Sequence, residues 1–344
     1  MLESVRATVP EIVRAINHAA TWIDNEQRLV ALNDPMLRLT GAAMAGRHFV
    51  TAFRDPAVVD AIEQGFHAPT TAQWQHTAAA RQKPVIFDLS ARPLFGGVLI
   101  ILTDRTAANE ADQMRRDFIA NVSHELRTPV TAISGFVETL QGAARDDATA
   151  RERFLKIMEQ EAKRMTRLVD DLMALSRLEG QERKRPTETV DLGQVVAQAV
   201  GAMEPVAKAA STDIVITAAQ SPANVRGDAA QLQQVIANLL ENALKYGRRG
   251  GVVSISIGPT QRQARLRAQG VVLEVSDDGD GIAEHHIARL TERFYRVDSH
   301  RSREVGGTGL GLAIVKHIIS RHRGRLTIKS EKGKGATFRV ILPT

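Results

Sequence analysis

The stretch FIANVSHELRTPVTAISGF, residues 118–136, sets a histidine beside an apolar seam. Ile119, Leu126, Ile133 and Leu140 recur every seven residues, and Val122, Val130 and Val137 fill the positions between them. This is the apolar stripe of a long amphipathic helix. His124 lies two residues from both Val122 and Leu126, about 200° around the helix from each. It therefore points outward. Thr128, four residues on, lies on the same face one turn later. A neutral imidazole keeps a lone pair near neutral pH, because its ordinary pKa is about 6.5. It can attack a phosphoryl group in line and form a phosphoramidate. The adjacent Glu125 can take or hold the proton on the other ring nitrogen. Neighbours in sequence do not face each other on an ideal helix, so its reach depends on local distortion. Pro129 supplies one: it removes a helical hydrogen bond and should kink the helix just after His124. Taken alone, an exposed histidine is more often plain solvated surface, and the decision rests on its surroundings.

A second set of residues spans 235–337. In QLQQVIANLLENALKYG, Val235, Ile236, Leu239, Leu240 and Leu244 supply a buried face, while Asn238, Glu241, Asn242 and Lys245 recur on the other, just before Tyr246. Two amides, a carboxylate and a cation on one face pack poorly. They suit a magnesium ion and phosphates, which want oxygen ligands and positive charge; a solvated helix face is the bland alternative. A strand over 271–276 runs into Asp277, Gly279 and Gly281, where Gly-x-Gly lets the backbone approach a ligand. Gly307, Thr308, Gly309, Leu310 and Gly311 precede a helix, where N–H groups freed of side-chain bulk make an anion site. No Gly-Lys-Ser/Thr follows, so this is not a P-loop. No strand leads directly into it, so it is not a dinucleotide fingerprint. The polar run 297–306 reads as a mobile lid. A glycine turn, KGKGATF, ends the set with Gly333, Gly335 and Thr337.

The elements that must position these groups follow from the rest of the chain. Its 344 residues exceed one ordinary domain and suggest two or three. Hydrophobic residues make up 43% and charged residues 24%, which excludes a mostly disordered or fibrous chain. The absence of cysteine excludes a disulfide scaffold, Cys-ligated zinc, an iron–sulfur cluster and a cysteine nucleophile. The longest strongly apolar run, 98–102, falls far short of the ~20 residues of a membrane helix. The N-terminus, with Glu3, Arg6, Glu11 and Arg14, lacks the apolar core of a signal peptide. Net charge is uneven: residues 1–107 carry 10 basic and 10 acidic side chains, 108–180 carry 11 and 13, and 181–344 carry 24 and 16. A basic C-terminal part fits a polyphosphate ligand, an anionic surface or a solvated face. With aromatics at 4% and none interleaved with the arginines, a stacking nucleic-acid surface is disfavoured.

Residues 1–105 read as mixed α/β: a helix near 10–20, a strand-like stretch 21–30, a helix 33–41 stopped by Gly41, and strands at 84–93 and 97–104. Residues 108–180 read as two heptad-patterned helices joined by a loop at 141–150. One such hairpin cannot bury both stripes, and pairing with a second copy gives a four-helix bundle. After a linker at 181–189, helices at 192–209, 229–245 and 310–322 alternate with strands at 214–218, 252–257, 271–276, 325–330 and 336–342.

The boxes, in this order, resemble sensor histidine kinases of the HisKA type. The wording from MRRDFIANVSHELRTP to SRLEG is most similar to the phosphate-regulon kind. The resemblance implies a multidomain α+β chain: a PAS-like α/β sensor (1–107), supported by the exit Asp104-Arg105-Thr106; a dimerising αα-hairpin that carries the phosphoacceptor (108–180); a linker (181–189); and a Bergerat-type α/β sandwich that binds ATP (190–344). It further implies His124 as nucleophile, Glu125 as its acid–base partner and Thr128 as the residue that orients water in a phosphatase reaction. Asn242, with Asn238 beside it, would hold Mg²⁺. Lys245 and Thr308 would lie near the phosphates, and Asp277 would accept from the adenine amino group. Tyr246, Gly279, Gly281, Gly307, Gly309, Leu310, Gly311 and Thr337 would complete the nucleotide site, and ERFYRVD, with Phe294 and Tyr295, its F-box. The implied partners are a second copy of the chain and a response-regulator receiver domain, with no nucleic acid. The chain as given reads as cytoplasmic and free of membrane contact, whereas full-length relatives are usually anchored in the inner membrane. One departure stands out: after Tyr246 relatives have Ser or Thr then Pro, and here Gly247-Arg248-Arg249-Gly250-Gly251 follows. It could put cations near a phosphate path or be a solvated turn. Two other readings stay open, an ATP-binding scaffold or phosphatase without kinase activity, and a different Bergerat ATPase.

Overall fold

A computed structural model describes residues 2–77, 84–181, 185–218, 223–297 and 307–344. The chain divides into two compact units, 1–120 and 121–344.

The first unit is a five-stranded antiparallel sheet with helices. Helix α1 (Leu2–Ala15) leads to β1 (Ala19–Ile23) and β2 (Leu29–Leu32). The single strand expected over 21–30 is thus a hairpin, and the first helix starts earlier than its pattern suggested. The reversal is chemical: Asp24 Oδ1 accepts from the backbone N–H groups of Glu26 and Arg28, and Gln27 takes a positive φ of 62°. Helix α2 (Asp34–Thr40) opens as expected. Asn33 caps it by accepting from Met36 N–H, and its amide also donates to the carbonyls of Ile16 and His18. Helix α3 (Pro56–Gly65) and β3 (Thr70–His76) went unread in the sequence, while β4 (Val85–Leu94) and β5 (Gly97–Asp104) fall where strands were expected. The sheet order is β2-β1-β5-β4-β3. Met36, Phe49, Phe53, Trp74 and Phe87 fill its helix-covered side.

Two long helices follow, α4 (Thr106–Gln141) and α5 (Ala148–Gln181). Asp147 starts α5 by accepting from the N–H groups of Thr149 and Ala150. Phe136 stacks on Phe154 across the hairpin, ring centroids 5.1 Å apart. Helix α4 continues through Pro129, which is buried, to Gln141; the proline does not end the helix as a chain break would. Large apolar side chains stay exposed along the hairpin, among them Ile119, Val130, Leu155, Val169 and Met173.

The third region begins with β6 (Thr189–Asp191), which pairs with β8 (Asn224–Arg226) in a two-stranded sheet that the sequence reading missed. Between them lie α6 (Leu192–Ala210) and β7 (Asp213–Ala218). Helix α7 (Ala229–Tyr246), β9 (Val252–Ile257), β10 (Gln261–Gln263), β11 (Ala268–Asp277), the short α8 (Glu284–Ile287), α9 (Gly311–Arg321), β12 (Arg325–Ser330) and β13 (Ala336–Pro343) complete it. The sheet runs β12-β13-β11-β9-β7, with β10 hydrogen-bonded to β11. Only β7 and β9 run parallel among these pairs. One face of the sheet and α6, α7 and α9 share a core of aliphatic side chains that includes Val196, Leu239, Val275, Ile314 and Val340. This is the helix-on-sheet layering expected from the alternating pattern. No helix among the described residues is long and apolar enough to cross a membrane.

Candidate active site

Helix α7 brings two faces to one place. Asp228 caps it by accepting from Gln231 N–H. Leu232, Val235, Ile236, Leu239, Leu240, Ala243 and Leu244 are buried, while Asn238, Glu241, Asn242 and Lys245 are half-buried on the other side. Asn238 Nδ2 donates to the Gly311 carbonyl at 3.3 Å, which ties this polar face to the first turn of α9. Lys245 Nζ lies 2.5 Å from Glu241 Oε1. The amide oxygens of Asn238 and Asn242 and the Glu241 carboxylate are hard oxygen donors. They fit Mg²⁺, which takes few protein ligands and keeps waters and substrate phosphates.

Strand β11 delivers Asp277 at its C-terminal end. Its Oδ1 accepts from the N–H groups of Gly279 at 3.0 Å and Ala336 at 3.3 Å. Burial pushes this carboxyl above the ordinary aspartate range, against the pull of those two N–H groups. Gly279 must be glycine, because a Cβ there would stand 2.1 Å from the Tyr246 carbonyl oxygen. The backbone after Asp277 therefore closes onto the C-terminus of α7. Gly281 and Gly335 take positive φ in the adjoining turns, and Thr337 Oγ1 shares a 2.9 Å hydrogen bond with Ser276 on the same ladder. The Gly247–Gly251 departure lies next door. Asp278 accepts from the N–H groups of Arg248 and Val252, and Arg248 and Arg249 are exposed, as in a solvated turn.

The glycine-rich turn before α9 is held from three sides. Gly309, at φ +73°, presses on Phe294, whose N–H donates to the Gly309 carbonyl at 2.9 Å. Tyr295 is fixed by a 2.6 Å hydrogen bond to His286 Nδ1 and by the Arg289 guanidinium, 4.2 Å above its ring. Leu310 N–H donates to Thr308 Oγ1, and the Thr308 hydroxyl donates to Asp171 of α5 at 2.7 Å. Gly307 offers its carbonyl to Arg296. The expected lid, 297–306, lies outside the described residues except for Val297.

His124 is exposed on α4, as its spacing required. Thr128, one turn later on the same helix, is exposed as well, and its Oγ1 donates to the His124 backbone carbonyl at 3.2 Å. Glu125 is not free. Its Oε2 receives Arg164 of α5 at 2.8 Å and Arg296 at 3.4 Å. Arg296 thus joins the acid beside His124 to the glycine-rich turn. The sequence reading had not singled out Arg164, Arg296, Asp171 or Asp278. Arg296 sits inside ERFYRVD, and Arg164, Arg167 and Asp171 share helical spacing on α5, so their positions were visible while their partners were not.

Comparison with known proteins assigns both regions to known domain families. Residues 114–181 match the His Kinase A (phospho-acceptor) domain, and residues 227–344 match the histidine kinase-, DNA gyrase B- and HSP90-like ATPase domain. The phosphate regulon sensor protein PhoR of Pseudomonas aeruginosa is 41% identical over 70% of this chain and 52% of its own length. The sensor-like histidine kinase SenX3 of Mycolicibacterium smegmatis is 41% identical over 71% and 62%. The sensor histidine kinase WalK of Bacillus subtilis is 35% identical over 72% and 39%. A crystal structure of the histidine kinase ThkA in complex with the response regulator TrrA shares the fold, with a TM-score of 0.52 over 97% of both chains at 19% identity. The chain belongs to the sensor histidine kinases, with a HisKA hairpin followed by an ATPase domain. It spans about half to three-fifths of the length of the PhoR and SenX3 relatives.

Proposed function

We propose that the protein autophosphorylates on His124 with ATP and passes the phosphoryl group to an aspartate of a response regulator. The imidazole nitrogen attacks the γ-phosphorus, the bond to the β-phosphate oxygen breaks, and ADP leaves. The imidazole proton passes to Glu125 or to water. Positioning and charge neutralisation carry most of such a reaction. Asn242 and Asn238 hold Mg²⁺, which neutralises charge on the phosphates when bound. Asp277 accepts from the adenine amino group, and Lys245, Thr308 and the N–H groups of Gly307, Gly309 and Gly311, with Leu310 between them, face the phosphates. Tyr246, Gly279, Gly281 and Thr337 shape the wall around the base.

The observation that carries the reading is the Arg296 bridge from Glu125 to the Gly307 carbonyl. It sets the acid next to the nucleophile against the turn that would hold the γ-phosphate. Before Glu125 can take a proton it must leave Arg164 and Arg296. The exposed apolar stripe of the hairpin supports a homodimer with a four-helix bundle, and the β2-β1-β5-β4-β3 unit supports a PAS-like sensor at 1–107. Thr128 supports a phosphatase activity toward the regulator, and the likeness to PhoR supports a role in phosphate signalling. Incubation with γ-labelled ATP and Mg²⁺ tests the reading. It predicts a protein-bound label that is lost in acid and stable in alkali, as a phosphoramidate is. An acid-stable label refutes it.

A further inference from the structure

One stripe of α5 lies along the ATPase region. Arg164 meets Glu125 of α4 within the hairpin, and toward the ATPase region Arg167 lies 3.9 Å from Glu241, Asp171 receives the Thr308 hydroxyl, and Glu179 pairs with Arg293. Three of these four contacts are ion pairs. Asp171 is the exception: its partner is a neutral hydroxyl in the turn that precedes α9. Burial pushes its carboxyl above the ordinary aspartate range against the pull of the Thr308 hydroxyl; Glu241 pushes the same way as burial, and Lys245 acts against it. The groups around it are thus those assigned above to the metal and phosphates.

We infer that Asp171 is a positioning residue for the nucleotide reaction, a carboxylate that holds the glycine-rich turn against α5 through Thr308 and is displaced when the phosphates of ATP arrive. The inference rests on the reading of Thr308 and Lys245 as phosphate-side groups. Thr308 has a single hydroxyl proton, and it points to Asp171. A phosphate that takes this donor leaves the carboxylate desolvated, unpaired and next to further negative charge, which is unfavourable. Nucleotide binding and release of α5 from the turn are therefore coupled. By linkage, whatever weakens the Asp171 contact strengthens ATP binding to the same degree.

Asp171→Asn tests this. The amide keeps the volume and can still accept from Thr308, but it carries no charge. The affinities of wild type, Asp171→Asn and Asp170→Asn for ATP with Mg²⁺ and for adenosine are to be compared, together with KM and kcat for autophosphorylation. Asp170 is the exposed neighbour on the same helix and serves as control. The expected result for Asp171→Asn is ATP binding about tenfold tighter and an equally lowered KM, with adenosine affinity unchanged. Asp170→Asn moves none of these. Unchanged or weakened ATP binding in Asp171→Asn overturns the inference, as does equal tightening of ATP and adenosine. If wild type binds neither ligand, the nucleotide-site reading itself falls, an outcome distinct from a failed Asp171 effect.

Discussion

His124 is open to solvent while the residue after it is gripped by two arginines, so under the proposed reaction access and proton transfer are controlled separately. Thr128 has its hydroxyl committed to the His124 carbonyl, and freeing it breaks one exposed hydrogen bond worth about 1 kcal/mol. Thr128→Ala therefore leaves autophosphorylation near wild type and slows dephosphorylation of a phosphorylated receiver; equal slowing of both rates contradicts the division of roles. Asn242→Asp places a full charge where, in the proposed site, an amide oxygen would meet Mg²⁺ and phosphates. It should weaken Mg²⁺-dependent ATP binding, and a titration with unchanged affinity removes Asn242 from the metal site. In the proposed site Asp277 would have to be ionised to accept from the adenine amino group through Oδ2 while Oδ1 keeps its two backbone donors. Because burial raises its pKa, ATP binding should fade on acidification at a pH above the ordinary aspartate range. Asp277→Asn should flatten that pH dependence.

Among the elements, α7 and α9 are locked by one buried imidazole. His322, at the end of α9, accepts from the Asp228 N–H through Nε2 at 3.0 Å and sets Nδ1 2.7 Å from the Ile318 carbonyl. Nε2 therefore carries the lone pair and Nδ1 the proton. Burial depresses its pKa below the ordinary 6.5. The unfolded chain binds this proton more readily than the folded one. Stability is thus present above the ordinary pKa and falls as pH drops through 6.5 toward the depressed folded value. Thermal unfolding of the ATPase region should show that loss between neutral and mildly acidic pH. His322→Ala should cost about 2 kcal/mol at neutral pH by orphaning the Asp228 N–H and opening a cavity, and it should abolish this part of the pH dependence. A pH profile unchanged by the substitution removes His322 as the cause.

The elements also show what the chain discloses by itself. Helices 192–209 and 229–245 and the strand at 252–257 were legible because each buries one face and so carries its own period. Strand β3 was not, since of TTAQWQH only Trp74 is buried and an edge strand of this kind has no apolar alternation. The three-residue strands β6 and β8 are too short to hold a pattern. The glycine turns of the site could be read, because backbone approach leaves a local mark. The contacts Thr308–Asp171 and Arg296–Glu125 join residues 137 and 171 positions apart, and no spacing along the chain announces them.

At the scale of the molecule, the hairpin of α4 and α5 serves two surfaces. One stripe of α5 meets the ATPase region through Arg167, Asp171 and Glu179. Another set of apolar side chains, including Ile119, Val130, Val169 and Met173, remains uncovered and is what a second copy would bury. Val130→Glu should shift sedimentation from dimer toward monomer; a monomeric wild type contradicts the bundle. The central claim is that His124 receives the γ-phosphoryl group of ATP. Its most direct test sets wild type beside His124→Gln, each incubated with γ-labelled ATP and Mg²⁺, with nucleotide binding measured on both. The account predicts a labelled wild type and an unlabelled variant that still binds ATP; a variant labelled to the wild-type level contradicts it.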